Sequence, residues 1–217
     1  MEKATRDYYK VLLTSQTGKG KTFSMKNMDP DTFGLINVEN KPLPFKNKFK
    51  YHKRPETVKE VFDTMIEYGN NPEIEAMGID SFSAFTDLVV TEAREKFTGW
   101  DVWTDYNAKI YLFLKLLKKL KKEVFVTAHY EILGIEGAPE KRVKVKGKEF
   151  EGVIEKEFTI VLFGDSKTDG NNSPEYFFNL RQDGTSSKCP PDIFGTGISK
   201  IPNDCKYIYD SIIKFVS

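Results

Sequence analysis

Residues 14–22, TSQTGKGKT, follow the apolar run YYKVLL and precede FSMKNM. A run of β-formers, two glycines separated by one lysine, a Gly-Lys-Thr triplet and a helix-compatible stretch predict strand, loop and helix in that order. Few loops are so constrained, because consecutive N–H groups turn inward around an anion only through backbone conformations that glycine reaches without strain. The helix that follows adds the positive end of its dipole. Gly18, Gly20, Lys21 and Thr22 supply the turn, the close approach, the cation and the hydroxyl of a phosphate-binding loop, with Ser15, Gln16, Thr17, Lys19 and Phe23 completing the cradle. The usual pattern opens with glycine where this chain has Ser15. A side chain there is expected to cost about 1 kcal/mol, or to be absorbed by a slightly different first turn.

The rest of the chain alternates in the same way. Residues 33–38 and 74–79 read as short buried strands ending at Glu39 and at Asp80-Ser81, and 124–128 as another ending at His129. Helices are expected from Arg54-Pro55-Glu56-Thr57 onward, over 85–97, over 106–122 and over 207–215. Strands separated by helices imply right-handed crossovers and a mostly parallel sheet, an α/β architecture. From Arg142 the pattern changes: RVKVKGKEFEG alternates like a hairpin about Gly147, and EFTIVLFGD and EYFFNLRQDG read as antiparallel additions. A single domain over 1–217 is expected, with a basic hairpin or loop insertion at about 132–152.

Composition excludes several classes. With 217 residues, 39% apolar and 30% charged, the chain reads as one ordinary globular core, and its net charge of +1 confines any basic surface to a local patch. Cys189 and Cys205 lack metal-ligand spacing, and with only His52 and His129 in the chain a zinc site is not expected. The charged N-terminus has no signal-like apolar region and no stretch approaches a membrane span, so a cytoplasmic protein with no membrane partner is expected.

If the loop holds a nucleotide, magnesium needs a carboxylate at the end of a neighbouring strand, and Asp80 is placed there to join Thr22. The other reading of Asp80-Ser81 is a helix cap. Lys141, Arg142, Lys144, Lys146 and Lys148 alternate with Val143, Val145 and Gly147 and would give a hairpin one basic face, suited to a nucleic-acid backbone or merely solvated. The lysines at 115, 118, 119, 121 and 122 fall mostly on the solvent side of a helix. Trp100, Trp103 and Tyr106, at the start of that helix, read as core residues ahead of base-stacking ones.

The succession VLLTSQTGKGKT, LINVEN, AMGIDSFSAF, VFVTAHYE resembles the RecA-like P-loop ATPases, and most closely the small phage-type members tied to single-strand annealing and recombination. The resemblance implies ATP and Mg2+ as ligands, Glu39 polarising the attacking water, and His129 sensing the γ-phosphate. It further implies Lys188, with Arg181, reaching a neighbouring subunit's nucleotide, a DNA-contacting loop near 132–152, and self-association into a ring or filament. The function expected is a DNA-stimulated ATPase that assembles on single-stranded DNA, beside a single-strand binding protein, in the host cytoplasm if phage-encoded. Two other readings stay open: an ATP-holding clamp or recruitment module with little turnover, and a P-loop kinase.

Overall fold

A strand buried along its whole length needs cover on both faces of its sheet. β1 (Lys10–Thr14) is such a strand, and its alternating side chains divide between two cores: Leu12 enters one, Val11 and Leu13 the other. The computed structural model describes residues 6–134, 139–168, 174–181 and 184–217. After β1 come a 3-10 helix (Thr22–Asn27), β2 (Phe33–Asn37), β3 (Tyr51–Lys53), α1 (Val58–Asn70), β4 (Ala76–Asp80), α2 (Phe82–Lys96) and α3 (Trp100–Lys119). β5 (Glu123–Ala128), β6 (Tyr130–Leu133), β7 (Glu140–Val143), a second 3-10 helix (Ile154–Glu157), β8 (Ile160–Lys167), β9 (Glu175–Asn179), β10 (Lys200–Pro202) and α4 (Cys205–Val216) follow.

The main sheet has the order β10-β9-β8-β1-β5-β4-β2-β3. β8, β1, β5, β4, β2 and β3 run parallel, while β9 pairs antiparallel with β8 and β10 antiparallel with β9. This is the mostly parallel, helix-flanked RecA-like architecture with antiparallel strands toward the C-terminus. α1, α2 and α3 cover one face and α4 with the first 3-10 helix covers the other. No helix among the described residues is long and apolar enough to cross a membrane.

Helix starts follow local chemistry. Thr57 caps α1 in a reciprocal box with Glu60, and the Ser81 hydroxyl accepts from Ala84 N at 3.2 Å to cap α2. Ser81, not Asp80, is therefore the cap residue. α3 starts at Trp100, six residues before the expected start, after Gly99 at a positive φ of 60° that favours glycine. Lys122 is buried, against the solvent-facing expectation, because its ammonium caps the carbonyls of Asn71 and Ile74.

The hairpin differs from its expected form. Its arms are β6 and β7, paired from Tyr130↔Val143 to Leu133↔Glu140, rather than strands folded about Gly147. Residues 135–138, within the expected insertion, lie outside the described residues. The cause is burial: Val143 and Val145 join the α-helical core, Lys144 N bonds His129 O at 2.8 Å, and Gly147 packs on the Trp103 ring. The chain after β7 is thus laid along α3 instead of pairing with itself.

Two tests of this packing follow. Phe113 is fully buried between the rings of Phe85 (4.7 Å between centroids) and Phe82 (5.3 Å), so Phe113→Ala should destabilise by about 3–5 kcal/mol in urea unfolding. Lys10 is buried, donates to Leu120 O (2.8 Å) and Lys122 O (2.7 Å), and burial lowers its pKa to about 8 against a partial offset from Glu123. Its folded value lies below the 10.5 of an exposed lysine, so the cost of the buried charge is present below pH 8 and relieved as pH rises to 10.5. The stability of wild type relative to Lys10→Met should therefore shift in favour of wild type between pH 7.5 and pH 10.

Candidate functional site

Parallel strands end at one edge of their sheet, and here four of them bring the sequence candidates together. Ser15 N bonds Ala128 O at 3.2 Å, so the loop after β1 departs beside the end of β5 and His129. Asp80 is the last residue of β4, and Glu39 N bonds Asp80 O at 3.0 Å just past β2. β4 is not adjacent to β1; β5 lies between them, and the Thr22 hydroxyl spans the gap by donating to Asp80 Oδ2 at 2.7 Å.

Gly18 (φ 77) and Gly20 (φ 80) take the left-handed conformations that the loop demands. Gly20 has a second reason to be glycine: a Cβ would stand 3.1 Å from the Tyr176 ring and 3.3 Å from Asn203 Oδ1. Ser15 needs no such conformation, since among the described non-glycine residues only Asn40 and Asp192 have positive φ. Room for its Cβ comes from Gly164 on β8, where an added Cβ would stand 3.2 Å from that of Ser15. The missing glycine of the loop is in effect supplied by the neighbouring strand.

A cavity of about 400 Å³ opens over the loop, lined by Thr17, Gly18, Gly20, Lys21, Thr22, Phe23, Glu39, Lys41, Pro44, His129 and Tyr176. The Lys21 ammonium bonds Ser15 O and Gln16 O, both at 3.0 Å, and lies 3.1 Å from His129 Nδ1. Burial lowers its pKa to about 8, while Asp80 and Glu39 pull it up and Lys41 pushes it down. An ammonium can only donate, so His129 Nδ1 accepts and the neutral ring carries its proton on Nε2, which lies 3.9 Å from Glu39 Oε1. Burial and then the Lys21 charge lower the His129 pKa; Glu39 and the Ser15 backbone oppose them, but the net shift is downward and favours the neutral ring at neutral pH.

Burial raises the Asp80 pKa, opposed by hydroxyl donors from Thr127 and Thr22. Glu39 accepts from Ser81 Oγ at 3.0 Å and from Lys41 Nζ at 2.7 Å. Burial pushes its pKa up, but those hydrogen bonds and the charges of Lys41 and His129 outweigh it and the net shift is downward. Among the described residues no group of three or more His, Cys, Asp or Glu could hold a metal ion. A hydroxyl and one carboxylate side by side instead fit a hard cation such as Mg2+, which takes its other oxygens from phosphate and water.

The remaining candidates lie elsewhere. Lys144 and Lys146 line a second cavity of about 500 Å³ that shares Thr17 and His129 with the first and includes Gln16. Lys146 pairs with Asp87 at 2.9 Å, Arg142 with Glu140, and Lys141 lies over the Tyr130 ring, while Lys148 is exposed. The one basic face expected of 141–148 is thereby split. Arg181 lines a pocket with Cys189, and the Lys188 side chain reaches Lys156 O at 3.4 Å; neither lines the loop cavity of its own chain. Lys19 is tied to Asp165 at 3.0 Å and to Ser166 Oγ at 2.9 Å, pinning the loop to β8. Tyr106 is fully buried and Trp103 partly so, as core residues, whereas Trp100 is 85% exposed. Sequence reasoning missed Lys41, Tyr176 and Gly164. Lys41 stands two residues past Glu39 and was findable; Gly164 reaches the site only through the pairing of β8 with β1, and Tyr176 only through the pairing of β9 with β8.

Ser15→Gly gives a direct test of the loop's first turn. With an ordinary backbone at Ser15, glycine should bring no relief and should lower stability by roughly 0.5–1 kcal/mol through its unfolded-state freedom, read as a lower urea midpoint.

The profile of AAA domains matches residues 7–187. No curated protein sequence matches the chain. Among solved structures it is similar to a KaiC-like protein from the hyperthermophilic archaeon Pyrococcus horikoshii OT3, with a TM-score of 0.51 and 13% identity over 89% of this chain and 84% of that one. A RadB recombinase is also similar, with a TM-score of 0.48 and 11% identity over 83% of this chain and 86% of that one. At such identity structural likeness speaks to the fold alone. A phosphate-type loop leaving the first strand of a RecA-like sheet, inside a match that spans most of the chain, makes this protein a member of the AAA domain family.

Proposed function

We propose that the chain is a magnesium-dependent ATPase that works as one domain, assembles on single-stranded DNA and supports annealing or recombination. The observation that carries the ATPase reading is the convergence of Lys21, the Thr22–Asp80 pair, Glu39 and His129 on one 400 Å³ cavity above a glycine loop. In this reading Lys21 exchanges its carbonyl acceptors for β- and γ-phosphate oxygens, a charge-assisted contact. Thr22 and Asp80 would hold magnesium, which would supply positive charge to the phosphates. Glu39 orients a water whose oxygen bonds to the γ-phosphorus as the bond from that phosphorus to the bridging oxygen of ADP breaks. The proton lost by the water passes to Glu39 and on to solvent. His129, neutral and bonded to Lys21, registers the terminal phosphate.

The DNA half of the proposal is supported by the second cavity, where Lys144 and Lys146 share walls with Gln16, Thr17 and His129. Among the described residues Lys141, Lys144 and Lys148 enter no ion pair and are available to phosphates. The Lys144 N to His129 O bond ties that segment to the sensing histidine, so a backbone shift on either side is felt on the other. Lys188 and Arg181 are assigned to a neighbouring subunit's nucleotide, which makes self-association part of the proposal, and a cytoplasmic setting goes with it. A clamp with little turnover is the competing reading.

Phosphate release with and without single-stranded DNA, alongside subunit mass, separates the two. Lys21→Ala should lose most nucleotide-dependent turnover. Glu39→Gln should bind ATP and lose roughly 10²–10⁴ in turnover. Equal rates with and without DNA, or a Lys21→Ala rate equal to wild type, would reject the proposal.

A further inference from the structure

The segment past β2 is built to place two side chains, not one. Asn37 is buried at the end of that strand, and its Nδ2 bonds Lys41 O at 2.8 Å, while Asn40 N bonds Asn37 O at 3.2 Å. Asn40 takes a left-handed conformation (φ 55), which asparagine tolerates better than most residues. The resulting tight turn puts residues 39 and 41 on the same side, and both line the loop cavity. Lys41 Nζ meets Glu39 Oε2 at 2.7 Å while Ser81 Oγ holds Oε1 at 3.0 Å. A glutamate with three side-chain torsions would otherwise sweep a wide arc. Two donors on different oxygens fix the plane of its carboxylate.

The pair is poorly explained as a stability device. The Lys41 side chain is 75% exposed, and exposed ion pairs contribute about 0–1 kcal/mol. Yet the turn beneath it engages a buried asparagine and a backbone position of positive φ, which is more construction than a solvated lysine requires. We infer that Lys41 is a positioning residue for hydrolysis, holding the Glu39 carboxylate turned into the cavity where an attacking water must be ordered. This rests on the ATPase reading above. Lys41 acts through Glu39, so its removal loosens the orientation of the water without removing a phosphate contact, and the loss falls on kcat rather than on KM.

The test compares steady-state ATP hydrolysis by wild type, Lys41→Met, Lys41→Arg and Glu39→Gln, with thermal unfolding of each. Lys41→Met should lower kcat roughly 10- to 100-fold, with KM for ATP within about threefold of wild type and an unchanged unfolding temperature. Lys41→Arg, which keeps a donor on Glu39 Oε2, should recover most of the loss. If Glu39→Gln abolishes turnover while Lys41→Met matches or exceeds wild type, the positioning role is overturned and the ATPase reading stands. A rise in KM with kcat unchanged overturns it too, since Lys41 would then be a nucleotide contact. A wild type without hydrolysis, or a Glu39→Gln variant as fast as wild type, overturns both.

Discussion

All of the site's chemistry depends on a parallel sheet ending its strands at one edge. The registers Thr14↔Ala128, Ile79↔Val126 and Asn37↔Asp80 bring the ends of β1, β5, β4 and β2 to within one residue of each other, so Ser15, His129, Asp80 and Glu39, each at or within two residues of its strand's end, stand over the same crevice. Backbone hydrogen bonds then fix that level: Ser15 N to Ala128 O on one side and Glu39 N to Asp80 O on the other. A slip of one residue in any pairing would turn a site side chain to the opposite face of the sheet. The apolar residues that enforce the register are those that alternate between the two cores.

Within that frame, charges are arranged in two adjoining sets of contacts. Lys21 bonds His129, His129 faces Glu39, Glu39 accepts from Lys41 and Ser81, and Asp80 accepts from Thr22 and Thr127. Each of these ionisable groups has a partner of opposite or complementary character, which is the condition for holding charge away from water. The same contacts make the groups interdependent: Lys21 Nζ lies 3.1 Å from His129 Nδ1, so the charge of one bears on the protonation of the other.

The loop's departure from the usual pattern is resolved by its neighbour. Ser15 keeps an ordinary backbone because Gly164 clears the space beside it, and Ser15 in turn offers its carbonyl to Lys21. Steric economy of this kind lies between strands β1 and β8, so it is invisible in the loop's own residues.

The sequence by itself determined what local chemistry can determine: the glycine loop after β1, the alternation of short buried strands with amphipathic helices, the start of a helix at residues 54–57, and the placing of Glu39, Asp80 and His129 at strand ends. These follow from periodicity and backbone propensity over a few residues. Only the tertiary structure decided the order of strands, with β5 between β1 and β4, the pairing of β7 with β6 rather than about Gly147, and the burial of Lys10 and Lys122 as caps for distant carbonyls. It also decided that Gly164 accommodates Ser15 and that Lys41 meets Glu39. Those outcomes are set by which surfaces meet across long stretches of chain, a competition of packing and desolvation that no short window of residues contains.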